Sequence, residues 1–170
     1  NAEKSNVKLS SAIYGNVLNS TGSIIPLIWD SIDKGYTLTL YSEEMTRFMI
    51  DIEDAMDLIE KGLEVSGYNV VPNLRSFLVK DLFEIYKDKF GLKYKIGVPR
   101  VSEKIHEIMV SKEEAPRTVY NEDNDTYYMH YKDVSADSIA DEFNSYETTV
   151  SHPELIKILG EYDFFRPWKY

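Results

Sequence analysis

The sequence predicts an α/β fold, and three observations carry that prediction. Short apolar or alternating runs rich in β-branched and aromatic residues recur along the chain, and amphipathic segments with a helical period stand between them. Glycines such as Gly35 and Gly91 punctuate the joins. A chain of 170 residues makes one domain or a little more, and a domain of this size buries roughly 70% of the surface its unfolded chain exposes.

Residues 7–14 read as a buried strand, and residues 23–34 as a helix with Ile24, Leu27, Ile28 and Ile32 on one face. Pro26 falls in the first turn, where its missing N–H costs little, and Gly35 closes the helix. Residues 36–41, "YTLTLY", alternate as a strand does, and residues 45–50, "MTRFMI", make a second one. From Asp51 acids fill the first turns of a helix. Its Ile52, Ala55, Met56, Ile59 and Leu63 share a side, which predicts packing against something apolar. A strand at 68–72, a helix at 77–90, a strand at 93–99 and a helix at 102–110 follow. Beyond Ser111 the chain turns polar and rich in Tyr and Asp, with one strand at 126–131. A helix at 153–159 precedes an aromatic tail, "YDFFRPWKY", whose rings, Trp168 among them, read most simply as packing residues.

Composition narrows function. A net charge of −10 disfavours a nucleic-acid partner, because neutralising a phosphate backbone needs clustered Lys and Arg. A small anion is a different case, since one or two arginines in a focused cleft hold a diphosphate whatever the global charge. The absence of cysteine excludes disulfides, thiolate metal sites and a cysteine nucleophile; it is compatible with a reducing, cytoplasmic location. No apolar run approaches the length of a membrane span. Asn1 in place of Met suggests a trimmed or excised chain.

The stretch "YGNVLNSTGSIIP", residues 14–26, empties a strand through a polar loop into a helix. Ligands of open α/β sheets sit at such places, where loop amides and a helix N-terminus receive an anion. No G-x-G-x-x-G precedes it, and no tyrosine stands four residues before a lysine in a strand-to-helix setting. The rest of a dinucleotide site is missing.

Three motifs, "YGNVLNSTGSIIPL", "MTRFMIDIEDAMDLI" and "RVSEKIHEIM", stand in the order and at the spacing of the polysaccharide-biosynthesis nucleotide-sugar 4,6-dehydratases. The chain resembles these extended short-chain dehydrogenases, among them UDP-N-acetylglucosamine 4,6-dehydratases and their 5-epimerising relatives, through "NVVPNLRSFLVKDLFEIY" to "EFNSYETTVSHPELIKIL" as well. The resemblance implies a carboxyl-terminal portion: the last strand and helix of the Rossmann-like sheet with the substrate loop over residues 1–50, then a small mixed α/β nucleotide-sugar-binding domain and tail over 51–170. It implies a UDP-sugar ligand, and NAD or NADP held by an amino-terminal dinucleotide-binding half that also carries the catalytic Tyr-x-x-x-Lys. It further implies a homo-oligomer, and no turnover or cofactor binding by this chain alone. A non-catalytic interaction or oligomerisation module on the same scaffold is the alternative.

The same resemblance assigns residues. Asn16 contacts the nucleotide-sugar, Ser23 and Ile24 offer helix-opening N–H groups to the diphosphate, and Tyr14 lies on the cofactor side. Arg47 and Arg100 clamp the diphosphate, and Glu103 accepts from ribose hydroxyls. Each has a plainer reading. Asn16 suits a turn and Ser23 a cap. Arg47, inside an apolar run, needs an anionic partner, for which Asp51 and Glu53 are near in sequence. Val101 and Ser102 replace the family's proline and glycine, and Ile13 its basic residue. Glu103 and His106, with Glu107 adjacent, invite a metal reading because i and i+3 share a helix face, but the second such element that a metal site requires is lacking, and His106 reads as a helix-packing or hydrogen-bonding residue. "NEDNDT" has no central glycine or terminal glutamate for calcium and reads as a solvated loop.

Overall fold

The computed structural model describes residues 8–98 and 101–167. Its elements in chain order are β1 (Ser11–Ala12), β2 (Asn16–Val17), α1 (Ile24–Lys34), β3 (Leu38–Leu40), β4 (Thr46–Ile50), α2 (Ile52–Glu64), β5 (Tyr68–Pro72) and β6 (Ser76–Leu78). There follow α3 (Val79–Phe90), β7 (Tyr94–Ile96), β8 (Ile108–Val110), β9 (Thr118–Asn121), β10 (Thr126–His130), β11 (Phe143–Asn144) and α4 (His152–Glu161). They form two compact units, each drawn from three stretches of chain.

One unit holds the chain up to Gly15, Ile50–Leu74 and Ile108–Asn144. Its sheet has the order β1-β5-β10-β9, with β1 parallel to β5 and the other pairs antiparallel. Val70, Val71 and Met129 are fully buried at its centre. Asp51 caps α2 by accepting from the Asp54 N–H at 2.7 Å. The helix buries Ala55, Leu58 and Gly62 and leaves Ile52, Met56, Ile59 and Leu63 exposed. Of the stripe read from periodicity only Ala55 packs, and its other four residues stay exposed. "NEDNDT" spans the β9–β10 connection, with Glu122, Asp123 and Asp125 in solvent.

The other unit holds Asn16–Met49, Arg75–Glu107 and the chain from Ser145. A sheet of order β2-β4-β6 and a parallel β3–β7 pair accompany α1, α3 and α4. Helix α1 ends at Gly35 in the left-handed conformation, φ 74°. It buries Ile25 and Ile28, whereas Leu27 is exposed, so the packed face is rotated from the one read in sequence. The aromatic tail closes this core: the Trp29 indole and the Tyr86 hydroxyl both donate to the Phe164 carbonyl, at 3.2 and 2.7 Å. Burial holds the Tyr86 phenol protonated far above its ordinary range. Burial, with the hydrogen bond to Glu84, pushes the Tyr94 phenol up to about 12. Trp168 lies outside the described residues.

Several elements differ from the sequence expectation. Only Ser11–Ala12 of the expected strand at 7–14 pairs, and Val7 lies outside the described residues. Residues 76–78, partly assigned to a helix, form β6 against β4. The expected helix at 102–110 is absent: a turn and irregular chain lead to β8. A helix there would commit the Ile105 carbonyl to the Met109 N–H and the Glu107 N–H to the Glu103 carbonyl. Instead the Ile105 carbonyl accepts from the Thr46 N–H at 2.9 Å, and the Glu107 N–H donates to the Ser145 hydroxyl at 2.8 Å.

Gly97 follows β7 and lies beside β3, its N–H donating to the Leu40 carbonyl at 2.8 Å. A Cβ there would lie 2.5 Å from Thr39 Cγ2. Gly97→Ala is expected to cost about 1–3 kcal/mol of stability, and Thr39→Ser, which deletes that methyl, should recover most of it. Urea denaturation of the single and double variants checks this; an additive double variant would contradict the clash.

Candidate functional site

The second unit contains a cavity of about 440 Å³, within the usual size range of small-ligand sites. Leu27, Phe77, Val79 and Phe83 make apolar wall, and the β3 segment from Thr37 to Tyr41 supplies one side. Four residues singled out from sequence line it: Asn16, Ile24, Arg47 and Glu103. Ser23 is the N-cap residue of α1, yet its side chain makes no capping bond, and its buried hydroxyl oxygen has no partner among the described residues. Tyr14 is exposed and belongs to the other unit. Arg100 lies outside the described residues.

A carboxylate that the sequence reading weighed only for metal binding organises the polar side of this cavity. Glu107 accepts from the Asn16 amide at 3.0 and 3.2 Å and from the Phe48 N–H at 2.9 Å. Its Oε1 lies 3.8 Å from Arg47 Nε. Arg47 Nη1 donates to the carbonyls of Thr46 and Ile105, at 2.7 and 3.2 Å, and Nη2 to Glu103 at 3.2 Å. The anion that an arginine in an apolar strand demands is thus supplied from residues 103 and 107, and the near-sequence partners Asp51 and Glu53 are not used. Around it, Thr46 Oγ1 meets the Ser145 hydroxyl at 2.6 Å and His106 Nδ1 at 2.8 Å. His106 is a hydrogen-bonding residue here, placed by irregular chain and not by a helix.

These contacts fix what the site can do chemically. The guanidinium keeps its Nε hydrogen and one Nη2 hydrogen outside hydrogen bonds among the described residues, so it retains donors for an anion. Arg47 with Glu103 and Glu107 nevertheless carries a formal charge of −1 (one cation, two carboxylates). An apolar cavity edged by an amide, a carboxylate and a partly engaged guanidinium suits a ligand with one flat apolar part and several hydroxyls. Among the described residues no cluster of His, Asp or Glu could hold a metal ion. Tyr128 precedes Lys132 by four residues, but Tyr128 lies on strand β10, which ends at His130, and not on a helix.

The family comparison agrees with this architecture. The model of the polysaccharide biosynthesis protein family matches residues 1–130. The chain belongs to that family. It is 36% identical over 119 residues to an uncharacterized membrane protein of Methanocaldococcus jannaschii, covering 64% of this chain and 34% of that protein. It is 34% identical over 108 residues to the inverting UDP-N-acetylglucosamine 4,6-dehydratase of Campylobacter jejuni, covering 62% and 32%. The chain thus spans about a third of the length of these relatives. The solved structure of Pen from Bacillus thuringiensis superposes with a TM-score of 0.82 at 20% identity, over 95% of this chain and 52% of that one. The chain therefore shares the fold of the matching part of that structure. No helix among the described residues is long and apolar enough to cross a membrane.

Replacing Glu107 by Gln turns one acceptor oxygen into a donor that faces the Asn16 amide or the Phe48 N–H. The expected loss is about 1–3 kcal/mol, against less than about 1 kcal/mol for Glu103→Gln, whose one hydrogen bond among the described residues is to Arg47. Chemical denaturation of both variants measures the difference; equal losses would remove Glu107 from its organising role.

Proposed function

We propose that this chain is the nucleotide-sugar-binding portion of an NAD(P)-dependent UDP-N-acetylhexosamine 4,6-dehydratase, with or without epimerisation at C5, in the synthesis of surface polysaccharide or glycan. The observation that carries the reading is the gathering of Asn16, Ile24, Arg47 and Glu103 on one cavity from positions as far apart as residues 16 and 103. The apolar wall takes the nucleoside, and Glu103 accepts from ribose hydroxyls while Arg47 holds it in place. The diphosphate meets Arg47 and the opening of α1 at Ser23 and Ile24. Because the described cluster has a formal charge of −1, a diphosphate requires a further cation. Arg100, three residues ahead of Glu103, supplies it.

In this reading the chain binds and positions the sugar, which is worth several kcal/mol of barrier when the reacting atoms are held in register. The nicotinamide cofactor and the Tyr-x-x-x-Lys chemistry belong to a dinucleotide-binding portion of the same enzyme, which Tyr14 would face. The location is cytoplasmic, where UDP-sugars and nicotinamide cofactor are available.

Calorimetry with UDP, UDP-N-acetylglucosamine and uridine tests the reading. UDP should bind at least about tenfold more tightly than uridine. Arg100→Ala should weaken it by about 2 kcal/mol, and Glu103→Ala by about 1–2 kcal/mol. Equal affinity for UDP and uridine would remove the diphosphate contact, and unchanged UDP affinity in both folded variants would leave these residues structural.

A further inference from the structure

Behind Glu107 lies a row of hydrogen bonds whose hydrogens can be counted. The Glu107 N–H donates to Ser145 Oγ at 2.8 Å, Ser145 Oγ lies 2.6 Å from Thr46 Oγ1, and Thr46 Oγ1 lies 2.8 Å from His106 Nδ1. Thr46 and Ser145 are fully buried. Among the described residues neither hydroxyl has a further partner. With a bare Nδ1, the Glu107 N–H, the Ser145 hydroxyl and the Thr46 hydroxyl each fill one of the three contacts, and all donate in one direction: Glu107 to Ser145, Ser145 to Thr46, Thr46 to Nδ1. With a hydrogen on Nδ1, four hydrogens meet three contacts. One buried hydroxyl would then donate to nothing, which is costly. The row therefore selects the imidazole tautomer that carries its hydrogen on Nε2.

The far end of the row is the segment that holds the cavity. Successive side chains of a strand point to opposite sides; Arg47 lines the cavity and Thr46 does not, so His106 meets β4 from the side away from the ligand space. Ser145 is anchored independently, its carbonyl accepting from the Ser76 and Thr149 hydroxyls and its N–H donating to the Glu107 carbonyl at 2.8 Å. The terminal acceptor, Nδ1, sets the rotation of both hydroxyls. Without it one hydroxyl hydrogen has no partner, and the pair must rotate or shift to find one, disturbing the oxygen that receives the Glu107 N–H. The Glu107 carboxylate in turn accepts from Asn16 at 3.0 and 3.2 Å and lies beside Arg47.

We propose that His106 is a positioning residue of the nucleotide cavity: as the terminal acceptor, with its hydrogen on Nε2, it orients the Thr46 and Ser145 hydroxyls so that the Glu107 backbone is fixed and its carboxylate stays on Asn16 and beside Arg47. The inference rests on the proposed function and adds a residue that acts on the site without touching the ligand.

Imidazole nitrogen NMR of the unsubstituted chain, at a pH where imidazoles are neutral, reads the tautomer, the His106 signals being assigned by their loss in His106→Asn. Nδ1 should resonate as a bare nitrogen and Nε2 as a protonated one. His106→Asn and His106→Leu then separate the acceptor from the ring. Both lose the contact with the Tyr146 ring, whose centroid lies 5.1 Å from that of the imidazole, but the amide oxygen of His106→Asn replaces Nδ1 as acceptor and His106→Leu has none. In the ligand-free chain the Asn16 side-chain amide and Glu107 backbone amide signals should move in His106→Leu and return in His106→Asn. UDP affinity should fall at least about fivefold in His106→Leu and stay within about twofold of the unsubstituted chain in His106→Asn. A neutral imidazole with its hydrogen on Nδ1 would overturn the proposal. So would amide signals or UDP affinity left unchanged by His106→Leu, or equal impairment of the two variants, which would leave ring packing as the whole role. If His106→Leu does not fold, Thr46→Val and Thr46→Ser, which delete and keep the hydroxyl, are read by the same criteria. An unsubstituted chain that shows the bare Nδ1 and the amide responses but binds no UDP leaves His106 positioning Glu107 and defeats the nucleotide-sugar reading alone.

Discussion

The Glu107 carboxylate is the constraint on which the polar side of the second unit depends. It accepts from Asn16 and from the Phe48 N–H and lies beside Arg47, so one side chain ties β2 to β4 and balances the only cation that the described residues place on the cavity wall. Burying a guanidinium in an apolar strand is costly without such a partner. The backbone of Glu107 is held as firmly, exchanging hydrogen bonds with Ser145 through the Ser145 N–H and hydroxyl, both at 2.8 Å. Segment 101–107 is thereby drawn along β4 and cannot wind into a helix.

That arrangement explains why the cavity has its mixed character. Its apolar wall comes from α1, β6 and α3, elements whose packing is settled by the core around Phe77, Leu82 and Tyr86. Its polar edge comes from residues whose side chains are already bonded to one another. A ligand entering there meets donors and acceptors held in place beforehand, which lowers the ordering cost of binding. The same feature limits what binds: the cluster of Arg47, Glu103 and Glu107 is anionic, so a polyanion needs help from outside it.

Much of the fold was legible where the determinants are local. The strand Tyr68–Pro72 and the helix closed by Gly35 follow from alternation and from a left-handed cap. The helix expected at 102–110 failed because its backbone groups are captured by Thr46 and Ser145, partners far away in sequence. Strands of two to four residues, such as β2, β9 and β11, are too short to print a period. For α2 the periodicity found the apolar row correctly, but a period records amphipathicity and not whether the face is covered. At the site, Arg47 was legible as a cation in an apolar run needing an anion, and it is half-buried beside two carboxylates. Its partners lie 56 and 60 residues further on, and no local pattern points to them. Asn16, Ile24, Arg47 and Glu103 came from motif resemblance, which carries spatial information that composition does not.

The central claim is that the cavity of the second unit takes the nucleotide. The five methionines test it directly by methyl-labelled NMR during a UDP titration, because Met45 lines the cavity while Met56, Met109 and Met129 belong to the other unit. The account predicts a saturable shift of the Met45 methyl with Met56, Met109 and Met129 unmoved. A Met45 signal unchanged at saturating UDP, or shifts confined to the other three, would contradict it.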